Sequence, residues 1–274
     1  MSGKSSIGFH LEGKVVIVTG SARGIGEALA EAFGEAKCRV VIADRMKRAD
    51  GKKRCEALAA RIEAMGGQGF VMQLDVSDRG QVQKMVQSTV EKFGRVDVLV
   101  NNAAVMKGGA FLEMDEENLR EHFEVNVKGC FSCCQLVAKQ MIEQGDGGKI
   151  VVISSVDGME AEEGVAAYSS SKASIILMVK CMAVELAPHG INVNAIAPGW
   201  VETDMTVPYL NEGLVRELNR RIPVGYMAKP EQMAGGALFL ASPLADYVTG
   251  HVLVIDGGLL SNITIKTTQG SVQY

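Results

Sequence analysis

Tyr168 and Lys172 stand four residues apart in the segment YSSSK. In a helix, this spacing places both side chains on one face. A free tyrosine has a pKa of about 10, so its phenol is a poor base at neutral pH. A nearby ammonium group favours the phenolate and lowers that pKa. The pair is therefore predicted to exchange a proton with an alcohol or a ketone.

A glycine-rich turn near the N-terminus indicates a second reactant. The segment TGSARGIG follows a short apolar run and carries glycines at positions 20, 24 and 26. A turn between a strand and a helix presents free backbone N–H groups and the positive helix end to a diphosphate. The glycine spacing is not that of a nucleoside triphosphate loop. We therefore expect a dinucleotide here.

The charges near its ribose bear on which dinucleotide binds. Asp44 follows the second apolar run, where a carboxylate can accept both ribose hydroxyls of NAD and would repel the extra phosphate of NADP. Arg23, Arg45 and the basic run MKRADGKKR lie in the same region, and an arginine can bind a 2′-phosphate. NAD is the favoured cofactor, and NADP stays open.

The fold class follows from seven short apolar runs separated by stretches with helical periodicity. Their near-continuous apolar character is typical of strands that are buried on both faces. The alternation predicts an α/β fold, a single-domain Rossmann-type doubly wound parallel β-sheet of seven strands with helices on both faces. The predicted strands are residues 14–18, 39–43, 69–74, 96–100, 149–153, 191–196 and 251–255.

Domain boundaries are predicted from the limits of this pattern, because no Pro/Gly/Ser-rich linker and no repeat divides the chain. We expect an N-terminal extension over residues 1–10, one Rossmann-type domain over 11–258 and a C-terminal tail over 259–274. Residues 200–229 follow a strand and are predicted to cover the substrate at the carboxyl edge of the sheet. The tail is either a disordered end or an arm that reaches a neighbouring subunit.

Composition and charge argue against several classes of function. The net charge of −4 is unlike that of most nucleic-acid-binding domains. There is no apolar run of membrane-spanning length and no signal-peptide core, so we expect a soluble cytoplasmic protein. Cys130, Cys133 and Cys134 form a C-x-x-C-C cluster, but no second pair of ligands accompanies it. Helix packing is therefore the preferred interpretation, and no metal is expected.

Several motifs together resemble the short-chain dehydrogenase/reductase family. They are TGSARGIG, NNAA at 101–104, Asn126 in FEVNVKG, Ser155, YSSSK, INVNAIAPGWVET and VIDGG. They occur in order between about residue 11 and residue 258, and Tyr168 follows Ser155 by thirteen positions. The resemblance implies an enzyme that interconverts a secondary alcohol and a ketone by hydride transfer with NAD(P).

The resemblance implies a catalytic set of Asn126, Ser155, Tyr168 and Lys172. Tyr168 would be the general acid/base. Lys172 would lower the tyrosine pKa and hydrogen-bond the nicotinamide ribose. Ser155 would hold the substrate oxygen, and Asn126 would fix a water that links Lys172 to solvent.

The resemblance also implies a cofactor-binding set. Thr203 matches the residue that holds the nicotinamide carboxamide, and Asp75 could face the adenine. One departure is Ala104, where the family commonly has glycine, which adds a methyl group beside the cofactor. The full set is Gly20, Ser21, Arg23, Gly24, Ile25, Gly26, Asp44, Arg45, Asp75, Val76, Asn102, Ala103, Ala104, Tyr168, Lys172, Val201 and Thr203.

The substrate stays open at this stage. Ser155 and Tyr168 are expected to hold the reacting oxygen, and Met106, Met159 and Met205 are predicted to line the pocket together with Trp200. Such a wall favours a ring ketone, a steroid-like molecule or an acyl group. Three glutamates at positions 160, 162 and 163 are predicted to form a solvated loop, with hydrogen bonds to a polyol as the alternative.

Three other functions are weighed against the favoured alcohol dehydrogenase or ketone reductase. They are an NADPH-dependent 3-oxoacyl-type reductase of the same fold, a dinucleotide-binding module without catalysis, and another adenosine-binding protein such as a methyltransferase. The complete set of Ser155, Tyr168 and Lys172 argues against the binding module, and a fluorescence change on mixing with NADH would argue against the methyltransferase type. Family likeness favours a homotetramer, with contact faces on long helices around residues 115–143 and 165–187.

Overall fold

A parallel sheet of seven strands forms the centre of the fold. The structure is a computed structural model that describes residues 8–262. Most of the predicted N-terminal extension and of the C-terminal tail, with its predicted arm, therefore lies outside the described residues. The strands are β1 Val15–Thr19, β2 Arg39–Asp44, β3 Gln68–Gln73, β4 Val98–Asn101, β5 Gly148–Ile153, β6 Ile191–Pro198 and β7 Val252–Ile255. Every predicted strand is present, which confirms the fold class.

The strand order creates a crevice at the carboxyl end of β1. The order across the sheet is β3-β2-β1-β4-β5-β6-β7, and all neighbouring strands pair in parallel. The chain leaves β1 towards β2 on one side and later returns to β4 on the other. Loops on the two sides of this switch point diverge, and ligands of open α/β sheets bind between them.

Eight α-helices within residues 8–262 cover both faces of the sheet. They are α1 Gly24–Glu35, α2 Gly51–Ala64, α3 Arg79–Phe93, α4 Glu116–His122, α5 Cys130–Gln144, α6 Ala166–Leu186, α7 Glu212–Arg221 and α8 Ala234–Ala241. Side chains alternate along β1, so that Val16 and Val18 belong to the core beneath α1, α2 and α8, whereas Ile17 belongs to the core beneath α3, α5 and α6. The uniformly apolar strand sequence follows from this burial on both faces.

Two irregular segments reach the carboxyl edge of the sheet. Residues Phe123–Gly129 form a π-helical segment between α4 and α5, and such widened turns often occur at functional sites. After β6, the chain forms a short 3₁₀ turn at Val207–Tyr209 and then α7. Both elements lie within residues 200–229, the segment that is predicted to cover the substrate.

No helix among residues 8–262 has the length and apolar character needed to cross a membrane. In the same part of the chain, no group of three or more His, Cys, Asp or Glu side chains is arranged to hold a metal ion.

Candidate active site

A cleft of about 570 Å³ lies at the carboxyl edge of the sheet and collects most of the predicted site residues. Of the cofactor set, all except Ser21 line this cleft, as do Ser155, Met106 and Met205. Ser21 is fully buried beneath the glycine turn. Asn126 lies behind the cleft wall, and Met159 is 48% exposed and does not line the cleft. The nucleotide end and the proton-transfer pair thus share one cavity.

The glycine turn has a backbone shape that side chains would prevent. Gly20 and Gly24 have φ values of 65° and 57°, in the left-handed region. A Cβ on Gly26 would lie 2.1 Å from the carbonyl oxygen of Gly20. The Asn102 amide donates hydrogen bonds to the carbonyl oxygens of Thr19 and Gly20, both at 3.0 Å. These two hydrogen bonds hold the glycine turn in its conformation.

The first turn of α1 is left free to bind an anion. Arg23 occupies the N-cap position, and its side chain makes no capping hydrogen bond. Gly24, Ile25 and Gly26 of this turn line the cleft, and their backbone N–H groups have no side-chain acceptor from the N-cap residue. The helix of twelve residues adds its positive end. A diphosphate fits this environment.

Carboxylates lie where the second and third strands end. Asp44 accepts hydrogen bonds from the backbone N–H groups of Met46 at 2.9 Å and Ala22 at 3.2 Å. One oxygen of Asp75 accepts two hydrogen bonds from Ser77. The backbone thus holds both carboxylates at the cleft edge, which gives the site the acidic residue that suits a ribose diol.

A group of arginines surrounds a carboxylate opposite Asp44. One oxygen of Asp204 lies 3.2 Å from Arg48, 3.4 Å from Arg54 and 3.6 Å from Arg23. These side chains line the same cleft. They are partly exposed, so the ion pairs add little to stability. The three arginines concentrate guanidinium groups near the predicted position of the ribose.

The proton-transfer pair is shielded from water. Tyr168 and Lys172 are 7% and 2% exposed, and the lysine Nζ lies 5.5 Å from the centre of the tyrosine ring. The Nζ donates a hydrogen bond of 2.8 Å to the carbonyl oxygen of Ile153 at the end of β5. The Ser154 hydroxyl donates to the carbonyl oxygen of Lys172 at 3.1 Å and so ties α6 to the same strand end. The predicted helical spacing thus places both groups in one dry corner.

The pKa directions in this corner differ from the sequence expectation. Burial, with a smaller contribution from the Asp157 charge, raises the pKa of the Tyr168 phenol, although a hydrogen bond with Ser155 lowers it. Burial lowers the pKa of Lys172 to about 8. The sequence predicts that Lys172 lowers the pKa of the phenol, whereas loss of hydration on burial raises it.

The Asn126 side chain makes three hydrogen bonds within the protein. Its side-chain oxygen accepts a hydrogen bond of 2.8 Å from Val105 N–H, and its nitrogen donates to the Val105 carbonyl oxygen and to the Ser171 hydroxyl, both at 3.0 Å. The amide therefore links the loop after β4 to α6. The role of Asn126 in fixing a water between Lys172 and solvent stays a prediction.

Three residues near the reacting groups were not singled out from the sequence as site residues. His122 is fully buried, accepts a hydrogen bond from Lys107 N–H at 3.2 Å and packs edge to face on Tyr168. Asp157 and Glu162 line the cleft beside Ser155. The position of Asp157 two residues after the serine was a usable signal. Glu162, predicted as part of a solvated loop, instead contributes to the cavity.

Comparisons with known proteins agree with this geometry. Residues 20–260 match a family model described as enoyl-(acyl carrier protein) reductase. The chain is 41% identical over 251 residues to 3-oxoacyl-(acyl-carrier-protein) reductase FabG of Thermotoga maritima, covering 92% of this chain and 99% of that protein. It is 37% identical over 254 residues to L-rhamnose 1-dehydrogenase (NAD(P)(+)) of Sphingomonas sp., covering 92% and 98%.

A solved structure shows the same architecture. The gluconate 5-dehydrogenase from Burkholderia cenocepacia, crystallised with NADP and tartrate, superposes with a TM-score of 0.87 at 32% identity, covering 93% of this chain and 98% of that one. The chain belongs to the short-chain dehydrogenase/reductase family. It is an NAD(P)-dependent oxidoreductase that acts on alcohols and carbonyl compounds, which confirms the predicted family, enzyme class and reaction type.

The buried lysine is expected to cost stability at neutral pH. Its pKa is about 8 in the folded protein against 10.5 as its ordinary value, so the folded state binds the proton more weakly than the unfolded state. We expect Lys172→Met to raise the free energy of unfolding by about 2 kcal/mol at pH 7. This gain should shrink as the pH rises from 8 towards 10, where the unfolded lysine also loses its proton.

Urea denaturation at pH 7 and near pH 10 measures both effects. Lys84→Met on the exposed side of α3, outside the helices proposed to meet between subunits, is the matched control and should change stability by less than about 0.5 kcal/mol. A Lys172→Met protein that is less stable than the wild type at pH 7 would contradict the account.

Proposed function

We propose that Tyr168 is the general acid/base of the oxidoreductase, with Ser155 holding the substrate oxygen and Lys172 supporting the proton transfer. The observation that carries this proposal is the burial of Tyr168 and Lys172 together, in the cavity that also contains the glycine turn and Asp44. A secondary alcohol or its ketone fits, because the site offers one group that exchanges a proton and one that accepts or donates a hydrogen bond.

The cofactor-binding residues contact different parts of the dinucleotide according to their charge. The free N–H groups of the first turn of α1 bind the diphosphate. The Asp44 carboxylate accepts hydrogen bonds from the hydroxyl groups of the adenosine ribose. Thr203 and Val201 also line the cleft, and we expect the nicotinamide to lie beside them. When bound, NAD(P) supplies the hydride acceptor or donor, and its oxidised ring brings a positive charge.

The raised pKa of Tyr168 fits this division. With the phenol protonated at neutral pH, the residue is ready to donate a proton to a carbonyl oxygen. To act as a base in alcohol oxidation it needs further positive charge nearby. Lys172 in its protonated form supplies part of this charge, and we infer that the oxidised cofactor supplies the rest.

Replacement of Tyr168 tests the proposed role directly. Tyr168→Phe removes only the hydroxyl, so we expect kcat to fall by about 10³-fold, in the range of a lost general acid/base. Binding of the reduced dinucleotide, followed by its fluorescence, should be retained.

Tyr226→Phe is the matched control, because Tyr226 is half-exposed and does not line the cleft. Full turnover in Tyr168→Phe would contradict the proposal. Retained dinucleotide binding without any wild-type turnover would instead support the binding-module alternative.

NAD is the cofactor that we favour, because Asp44 is held at the cleft edge by two backbone N–H groups and presents its charge to the ribose. Asp44→Asn keeps the shape of the side chain but makes it a weaker acceptor of hydrogen bonds from the ribose. We expect kcat/KM for NAD to fall about tenfold, as for a lost hydrogen bond to a charged group, while that for NADP holds or rises. Steady-state kinetics with both cofactors measures the change.

Asp50→Asn controls for charge in the same region, because Asp50 lies beside Arg48 and Arg54 but outside the cleft lining. Unchanged use of NAD by Asp44→Asn would favour the second candidate, an NADPH-dependent 3-oxoacyl-type reductase. The arginines around Asp204 are the observation that supports this candidate, since guanidinium groups bind a 2′-phosphate well.

We also propose a cytoplasmic homotetramer. Several large apolar side chains of α5 and α6 are exposed, including Phe131 at 47%, Leu177 at 64% and Val184 at 77%, and burial between subunits would remove them from water. All six cysteines are free, as suits a reducing compartment. Light scattering should give the mass of four chains and cell fractionation a soluble protein. The mass of one chain would contradict the assembly.

A further inference from the structure

Two carboxyl groups lie against the hydroxyl of Ser155 on the substrate side of the cleft. The Ser155 hydroxyl donates a hydrogen bond of 3.0 Å to Oδ2 of Asp157, and the Asp157 backbone N–H donates back to the same hydroxyl at 3.2 Å. The Glu162 carboxyl lies near enough to the Asp157 carboxyl to be affected by its charge. Both acids line the cleft and are only partly exposed. They therefore form a polar arm that begins at Ser155.

The Glu162 carboxyl holds its proton more readily than an ordinary carboxyl. Burial raises the pKa of Glu162 to about 7, and the Asp157 charge adds to the effect. Two adjoining carboxyl groups cannot both ionise cheaply, so one of them keeps its proton. Near and below neutral pH, the arm thus offers one O–H donor and one carboxylate acceptor.

No ion pair found within residues 8–262 involves this arm. Three arginines of the cleft lining, Arg23, Arg48 and Arg54, pair with Asp204 instead. A half-buried carboxyl pair without a cation is costly when it has only a structural role. Its polar groups also face the cavity, where a ligand can reach them.

A hydroxyl group is the ligand that matches this arm. A hydroxyl both donates and accepts hydrogen bonds, and the arm presents an acceptor and a donor side by side. Asp157 lies one hydrogen bond from Ser155, which is proposed to hold the reacting oxygen, so the matched hydroxyl belongs on the neighbouring carbon. An apolar chain at this position would leave the arm without partners, which sites built for hydrogen bonding disfavour strongly.

We propose that Asp157 and Glu162 bind a second hydroxyl on the carbon next to the reacting one, which makes vicinal diols, such as polyols and sugars, the preferred substrate class. The inference rests on the proposed roles of Ser155 and Tyr168. Met106, Met205 and Trp200 also line the cleft and offer apolar contact to the C–H groups of such a substrate.

The test compares two alcohols that differ by one hydroxyl group. Oxidation of cyclohexane-1,2-diol and of cyclohexanol is measured for the wild type, Asp157→Asn, Glu162→Gln and Tyr168→Phe, with NAD and with NADP. Glu160→Gln is the matched control, because Glu160 is an exposed acid of the same segment that does not line the cleft. Dinucleotide fluorescence confirms that each variant is folded.

We expect the wild type to prefer the diol. Asp157→Asn and Glu162→Gln should each lower the ratio of kcat/KM for diol over cyclohexanol by about tenfold or more, mainly through KM for the diol, as for a lost hydrogen bond to a charged group. Glu160→Gln should keep the wild-type ratio. The two variants report independently, so misfolding of one leaves the other decisive.

Failure of this inference is separable from failure of the proposed function. Equal use of the two alcohols by the wild type, no turnover of the diol, or an unchanged ratio in both acid variants would overturn the diol assignment. If Tyr168→Phe loses turnover, the proposed function stands even when the diol assignment is overturned. Turnover that persists in Tyr168→Phe would overturn the proposed function instead.

Discussion

The removal of Tyr168 and Lys172 from water is the constraint on which the rest of the site depends. An ammonium group and a phenol at 2% and 7% exposure are unfavourable unless the surrounding backbone compensates for lost hydration. The carbonyl oxygen of Ile153 provides part of this compensation, because β5 ends where it can accept a hydrogen bond from the lysine. The edge of the sheet therefore keeps Tyr168 and Lys172 out of water, whereas an exposed helix would leave them solvated. This burial lowers the stability of the protein.

Charges around the cleft follow a consistent division. The nucleotide end has free N–H groups, the fixed carboxylate of Asp44 and a surplus of guanidinium groups, whereas the substrate end has the carboxyl arm of Asp157 and Glu162. The arm lies close enough to raise the pKa of Tyr168. Substrate selection and proton transfer are thus electrostatically linked, because whatever binds Asp157 also alters the field at the phenol.

The fold and the proximity of Tyr168 to Lys172 could be predicted from the sequence because both depend on local patterns. Apolar runs specify strands buried on two faces, and glycines specify a turn that a Cβ on Gly26 would block. The rest depends on tertiary packing. The direction of the Tyr168 pKa shift is set by burial, and the contacts of Asn126 with Val105 and Ser171 join segments far apart in the chain. Glu162 enters the cavity and Met159 does not, which no spacing rule indicates.

The most direct test of this account is an ultraviolet titration of the Tyr168 phenol with and without NAD, using Tyr168→Phe as the blank. The account predicts that without cofactor the phenolate forms only above the ordinary tyrosine pKa of about 10, and that oxidised cofactor moves its formation to lower pH. A phenolate that forms near neutral pH without cofactor, or a titration that NAD leaves unchanged, would contradict it.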